Sequence, residues 1–195
     1  MSRYQLGRRK RLLATGVLVA ITLTPSLPSL ASATALPSWA KALGTGVVVD
    51  PPTPTAAGYG SPGAPVKGVY LAFAAGNLVQ VCRYFEPTVQ QKCVSLVAGK
   101  QVNYTASIKN FGPGYVAIDH QKALVGVTGT YCISNEKPTC STNTNPAAIF
   151  DLGKTFAVQW ADAVAASNSN ANVYSLTPSI EVGHKWYVYV PPSEY

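Results

Sequence analysis

Charged side chains are scarce in this chain of 195 residues, and acids are the scarcest: 8 Asp and Glu stand against 15 Lys and Arg, with 2 His. So few carboxylates and imidazoles leave little material for general acid–base chemistry. There is no C-x-x-C for a zinc knuckle. There is also no G-x-S-x-G elbow, no H-E-x-x-H pair and no glycine-rich phosphate loop. After the first 35 residues no apolar stretch is long enough to span a bilayer.

The basic excess is concentrated at the start. Arg3, Arg8, Arg9, Lys10 and Arg11 precede an apolar run, Leu12 to Leu23, which Pro25 and Pro28 end before Ala33-Thr34-Ala35. A positive region, a run of that length and a small-x-small site in this order read as a secretory signal peptide, residues 1–35, cut after Ala35. Cleavage after Ala33 is the nearest rival. Arg8-Arg9 also fits a twin-arginine signal, although an ordinary basic n-region is the simpler reading. The remainder carries 10 basic and 8 acidic residues, a net charge of +2. It has no cationic cluster for phosphates, so nucleic acid is not an expected partner. Leu36 offers no thiol for a lipid, and the Pro191–Tyr195 end has no anchoring tail. The expectation is an extracellular protein with no stable membrane anchor.

Four cysteines in an exported chain imply two disulfides. Three connectivities are formally open, and spacing favours the local one, Cys82 with Cys93 and Cys132 with Cys140. Each closes a loop of about ten residues, for roughly 2.5–3 kcal/mol in the chain-entropy account.

Residues 36–63 hold five prolines among Ala, Gly, Thr and Ser, and are expected to be a flexible spacer. Val47-Val48-Val49 is the one stretch there able to form a strand by docking. The folded domain is then 64–192, enough for one core. Val66, Tyr70 and Phe73 share a helical face that Gly76 and Asn77 end. Leu78, Val81, Cys82 and Phe85 stripe a second helix. After Glu86-Pro87, Val89, Cys93 and Leu96 stripe a third. The period changes to two from Val102 to Ile108. A turn is expected at Gly112-Pro113-Gly114, then strands at 115–118 and 123–131, then a polar loop between Cys132 and Cys140. Phe156, Trp160 and Val164 mark a last helix. Strands at 174–182 and 186–190 close the domain around Gly183-His184-Lys185. Short helices before an antiparallel sheet make an α+β domain, with the sheet curled around the helices.

Three segments resemble the nuclear transport factor 2-like superfamily, also called cystatin-like. They are AFAAGNLVQVCRYFEPTVQQKC (72–93), HQKALVGVTGTYC (120–132) and VYSLTPSIEVGHKWYVYV (173–190). They look like that superfamily's opening helices, inner strand and terminal hairpin. The cysteines and the 132–148 excursion are similar to exported actinobacterial members of unknown role. The resemblance implies a cone with a pocket at its open end, often in a homodimer. It implies no chemistry, since the superfamily holds isomerase-like and dehydratase-like enzymes beside many non-catalytic members.

His120 and His184 fall in predicted turns, in solvent. Asp119 neighbours His120, but adjacency in sequence does not make two side chains face one another. Asp162 and Glu181 alternate away from apolar faces, and Glu86, Glu136, Asp50 and Asp151 lie in breaks or loops. No carboxylate falls on a predicted dry face, so no catalytic residue, metal ligand or cofactor is assigned. The expected interior is aromatic: Tyr70, Phe73, Tyr104, Trp160, and either Trp186 or Tyr187 with Tyr189 according to register. Such side chains are core first. They also suit a pocket for a small apolar or amphipathic ligand. The expected function is non-catalytic binding of such a ligand or an envelope partner. The alternatives are a small-molecule isomerase, dehydratase or hydrolase, and a purely structural envelope protein.

Overall fold

The computed structural model describes residues 36–102, 105–134, 138–145, 147, 150, 153–167 and 176–191. The expected signal peptide and Tyr104 lie outside them. The architecture is α+β, a curved antiparallel sheet with helices packed on it.

The two-residue period from Val102 becomes a long strand, but the chain does not reverse at Gly112-Pro113-Gly114. With β1 taken as Val48–Asp50, β2 runs unbroken over Thr105–Asp119 and pairs antiparallel with β3, Lys122–Ser134, from Thr105↔Ser134 to Asp119↔Lys122. The expected turn is absorbed as two register shifts, Lys109/Gly112 and Pro113/Val116. Proline has no N–H for the ladder and glycine tolerates the irregular backbone, so the triplet bends the strand without ending it. Across the first shift stands Gly129, at φ 118°. A Cβ there would lie 2.8 Å from the Asn110 carbonyl oxygen and the Phe111 Cα.

Sequence order continues with β4 (Pro138–Asn143), β5 (Thr177–Val182) and β6 (Lys185–Val188). The sheet order is β1-β2-β3-β5-β6, with β4 also paired to β3. β3 is therefore central. Its Ala123–Val127 run is buried without a break, since its two faces meet two cores. Ala123, Val125 and Val127 pack with Val66 of α1 (Gly63–Ala74). Leu124 packs the other way, on Trp39, Leu43, Phe150 and on Phe156 and Ala163 of α4 (Phe156–Ser167). A strand covered on both faces reads as a continuous apolar run, as ALVGV does. The curved sheet thus carries helices on both faces.

The second layer corrects the reading of 36–63 as a spacer. Ser38–Leu43 is a 3-10 helix with Trp39, Ala40 and Leu43 buried. Trp39 stacks on Phe150, ring centroids 4.5 Å apart, and meets Tyr115 edge-on at 5.3 Å. β1 then pairs with Val116–Ile118 of β2, from the valines able to dock. One tryptophan and one leucine supply enough apolar area to order a segment whose composition is otherwise that of a linker. The compact unit accordingly spans Ala35–Tyr195 and does not begin at 64.

The opening helices follow their signals. Gly76 takes φ 67°, the Asn77 side chain caps α2 (Leu78–Arg83) by accepting from the Gln80 N–H at 3.0 Å, and Pro87 starts α3 (Pro87–Val97). Cys82–Cys93 joins α2 to α3. Cys132–Cys140 also forms, but the expected polar loop holds β4, and the two cysteines are direct register partners on β3 and β4. In the closing hairpin Gly183 and His184 both take positive φ, the pattern of a type I′ turn. The other edge of β6 is covered: the Trp186 and Val188 amides donate to the carbonyls of Tyr59 and Tyr84, and the Glu86 amide donates to the Val188 carbonyl.

Gly129→Ala should cost about 2–4 kcal/mol in denaturant unfolding, because a positive φ and a backbone collision combine there. Gly99→Ala, at φ 72° with open space around it, should cost about 1 kcal/mol. Equal losses would contradict the bulge packing.

Candidate functional site

Among the described residues, the aromatic side chains expected to line one pocket do not all share one. Tyr70 and Phe73 lie on α1 against the outer part of β2 and β3: Tyr70 is 4.5 Å from Phe111 and 5.8 Å from Tyr131, and Phe73 is 6.2 Å from Tyr131, by ring centroids. Trp186 packs on the same α1-side core. Trp160 belongs to the opposite layer, beside Phe156, with Lys122 Nζ 5.4 Å from its ring centroid. Helical period places Phe156 and Trp160 on one stripe correctly. It cannot say which face of the sheet that stripe covers.

The apolar cavity lies where β5 begins. Around that strand end α1 and α4, packed on opposite faces, reach a common space of about 260 Å³. Val66, Val69 and Tyr70 line it from α1, and Ala163 and Ser167 from α4. Phe85 and two short runs, Leu176–Pro178 and Val188–Val190, complete the wall. Of the expected residues Tyr70 and Tyr189, the latter from the Tyr187-with-Tyr189 register, line it among those described; Trp160 touches its wall through Tyr189, centroids 5.5 Å apart. Among the described residues the lining has no Asp, Glu, His, Lys or Arg. The polar side-chain groups of its lining residues are the hydroxyls of Tyr70, Ser167, Thr177 and Tyr189, and Ser167 Oγ donates to the Val164 carbonyl at 2.7 Å. Such a wall can hold an apolar body and meet one or two neutral polar groups. It offers no base to remove a proton.

A second cleft of about 270 Å³ lies at the start of α1, between Asp50–Thr55, Ser61–Gly63 and the Pro113-Gly114 bend. It is built largely from the segment expected to be a spacer, whose composition carries no site motif.

The titratable groups need two corrections. Glu86, read as part of an exposed break, is 7% exposed. Its backbone is tied to Val188, which draws the junction of α2 and α3 onto β6. Burial raises its carboxyl above the ordinary value of 4.5, and a side-chain hydrogen bond with Thr88 partly opposes this. A Glu-Pro pair between helices signals a break, and nothing local says that a strand will cover it. Second, Asp119 and His120 do meet, Oδ1 to Nδ1 at 2.7 Å, because the turn holds His120 at φ 54° and brings adjacent side chains together. The pair stays at the surface, with His120 91% exposed. His184 is exposed too, 3.9 Å from Glu181, and Asp162 pairs in solvent with Lys154 at 2.6 Å. Among the described residues no group of three or more His, Cys, Asp or Glu could hold a metal. None of the described helices is long and apolar enough to cross a membrane.

No known protein family, curated protein or solved structure matches this chain. The fold and the cavity are therefore read from this structure alone. Two disulfides and no free cysteine among the described residues fit an oxidising compartment.

Because the Glu86 carboxyl has a raised value in the fold, its contribution to stability is complete below about pH 4.5 and falls as pH rises through that raised value. Glu86→Gln removes the ionisation. The thermal midpoint of the variant relative to the parent should be more favourable at pH 7 than at pH 4. A difference that does not change with pH would contradict the assignment.

Proposed function

We propose that the chain is a secreted, non-catalytic binding protein that holds a small neutral apolar or amphipathic molecule in the cavity between α1 and α4. The lining carries this reading: aliphatic and aromatic walls, hydroxyls as the side-chain polar groups, and no acid or base among the described residues. Export is supported by the basic and apolar opening and by the two disulfides. The nuclear transport factor 2-like resemblance belongs to the same proposal. Its first two segments fall on α1–α3 and β3, and its third reaches the β5–β6 hairpin. It adds the expectation that two copies pair.

An isomerase or dehydratase would need a carboxyl or imidazole facing the ligand. Glu86 is the buried acid among the described residues, and it engages Thr88 without lining the cavity. Binding is therefore the better account.

The test fills the cavity without removing core. Val69 is half-buried and lines the wall. Val69→Trp should weaken binding of a neutral probe such as N-phenyl-1-naphthylamine by at least about tenfold, roughly 1.4 kcal/mol, with the melting temperature little changed. Parent binding should be flat between about pH 5 and 8, where an exposed histidine titrates. Absence of probe binding by the parent, or full binding by Val69→Trp, would favour a structural envelope role. Turnover of a small molecule that Glu86→Gln abolishes would favour the enzyme.

A further inference from the structure

The two disulfides are set in opposite surroundings. Cys82 and Cys93 are 1% and 4% exposed, between two helices. Cys140 is exposed and Cys132 half-buried, on neighbouring strands at the surface. The strand that Cys140 belongs to is also the least integrated of the six. Among the described residues β4 contributes nothing to either apolar cluster. Among the described strands it pairs with β3, and the side-chain contacts that assist include Thr130 with Thr142 at 3.0 Å and Asn143 Nδ2 to the Val127 carbonyl at 2.6 Å. Thiol–disulfide exchange needs a thiolate to reach a sulfur, so access separates the bonds before any other property does.

We propose that Cys132–Cys140 is a thiol-exchange site, modified by low-molecular-weight thiols or by an exported dithiol reductase while Cys82–Cys93 stays closed. A thiolate attacks Sγ of Cys140 and forms a mixed disulfide there. The Sγ–Sγ bond breaks, its electron pair leaves on Cys132 as a thiolate, and that thiolate takes a proton from water. A second thiol then attacks the mixed disulfide, giving the oxidised external disulfide and two cysteine thiols, a two-electron reduction. β4 loses its covalent tie to β3, while both apolar cores, which do not use it, stay intact. Local opening of such a strand costs less than the global unfolding that would free a bond buried between helices. The inference does not depend on the ligand proposed for the cavity.

The experiment is timed exposure of the oxidised protein to glutathione, quenched with N-ethylmaleimide and read by peptide mapping. Cys132 and Cys140 should become labelled at least about tenfold faster than Cys82 and Cys93. Early mixed disulfide should be on Cys140, and the far-ultraviolet circular dichroism should be retained. Equal rates, earlier opening of Cys82–Cys93, or glutathione on Cys132 would overturn the proposal. The double variant Cys132→Ser/Cys140→Ser should fold cooperatively and lose the fast labelling. Its failure to fold would show that the clamp belongs to the core, which also overturns it.

Discussion

The structure depends on one strand being dry on both faces. Ala123–Val127 of β3 cannot be satisfied by a single layer of helices, because successive side chains point to opposite sides. One side is met by α1. The other has to be closed by elements far apart in sequence, the 3-10 helix at Ser38–Leu43, Phe150 and α4. Those elements are apolar only in patches, and each patch matches a place on the sheet. The proline-rich start of the chain is ordered for this reason and against its composition.

The same constraint creates the cavity. Two helices that cover opposite faces of a sheet are normally kept apart by it. Here β5 begins at Thr177, so around its first residues α1 and α4 approach one space that β5 does not fill. The wall is apolar because it is the meeting of two cores. It is free of charge because both cores exclude charge. The buried carboxyl of Glu86 lies beside this region without entering it, held by the connection that lets the α2–α3 junction cover β6.

Local signals made much of the fold legible in the sequence, in proportion to how local the cause was. The Gly76-Asn77 stop, Pro87 at a helix start and the Gly183-His184 turn were readable because each acts on its own backbone. The helix-to-helix disulfide followed from two stripes eleven residues apart. What failed needed long-range knowledge. Gly112-Pro113-Gly114 has turn composition, yet pairing to β3 on both sides carries it through as a bend. Trp39 looks isolated in a linker until Phe150 and Tyr115 stand beside it. Of the aromatic residues expected in the interior, Tyr70 and Tyr189 border the cavity. Trp160 and Trp186 were assigned to a common interior because helical spacing and strand alternation each identify an apolar face without saying which of two dry cores it meets.

The central claim, that the segment before residue 51 is a structural cover for β3, is tested most directly by native-state hydrogen exchange on Trp39→Ala. Loss of that ring should cost roughly 3–5 kcal/mol. In the parent the Ala123–Val127 amides should exchange only through global unfolding, and in the variant their protection should fall together by about the same free energy. Unchanged protection along β3 would contradict the account and return residues 36–50 to the role of a spacer.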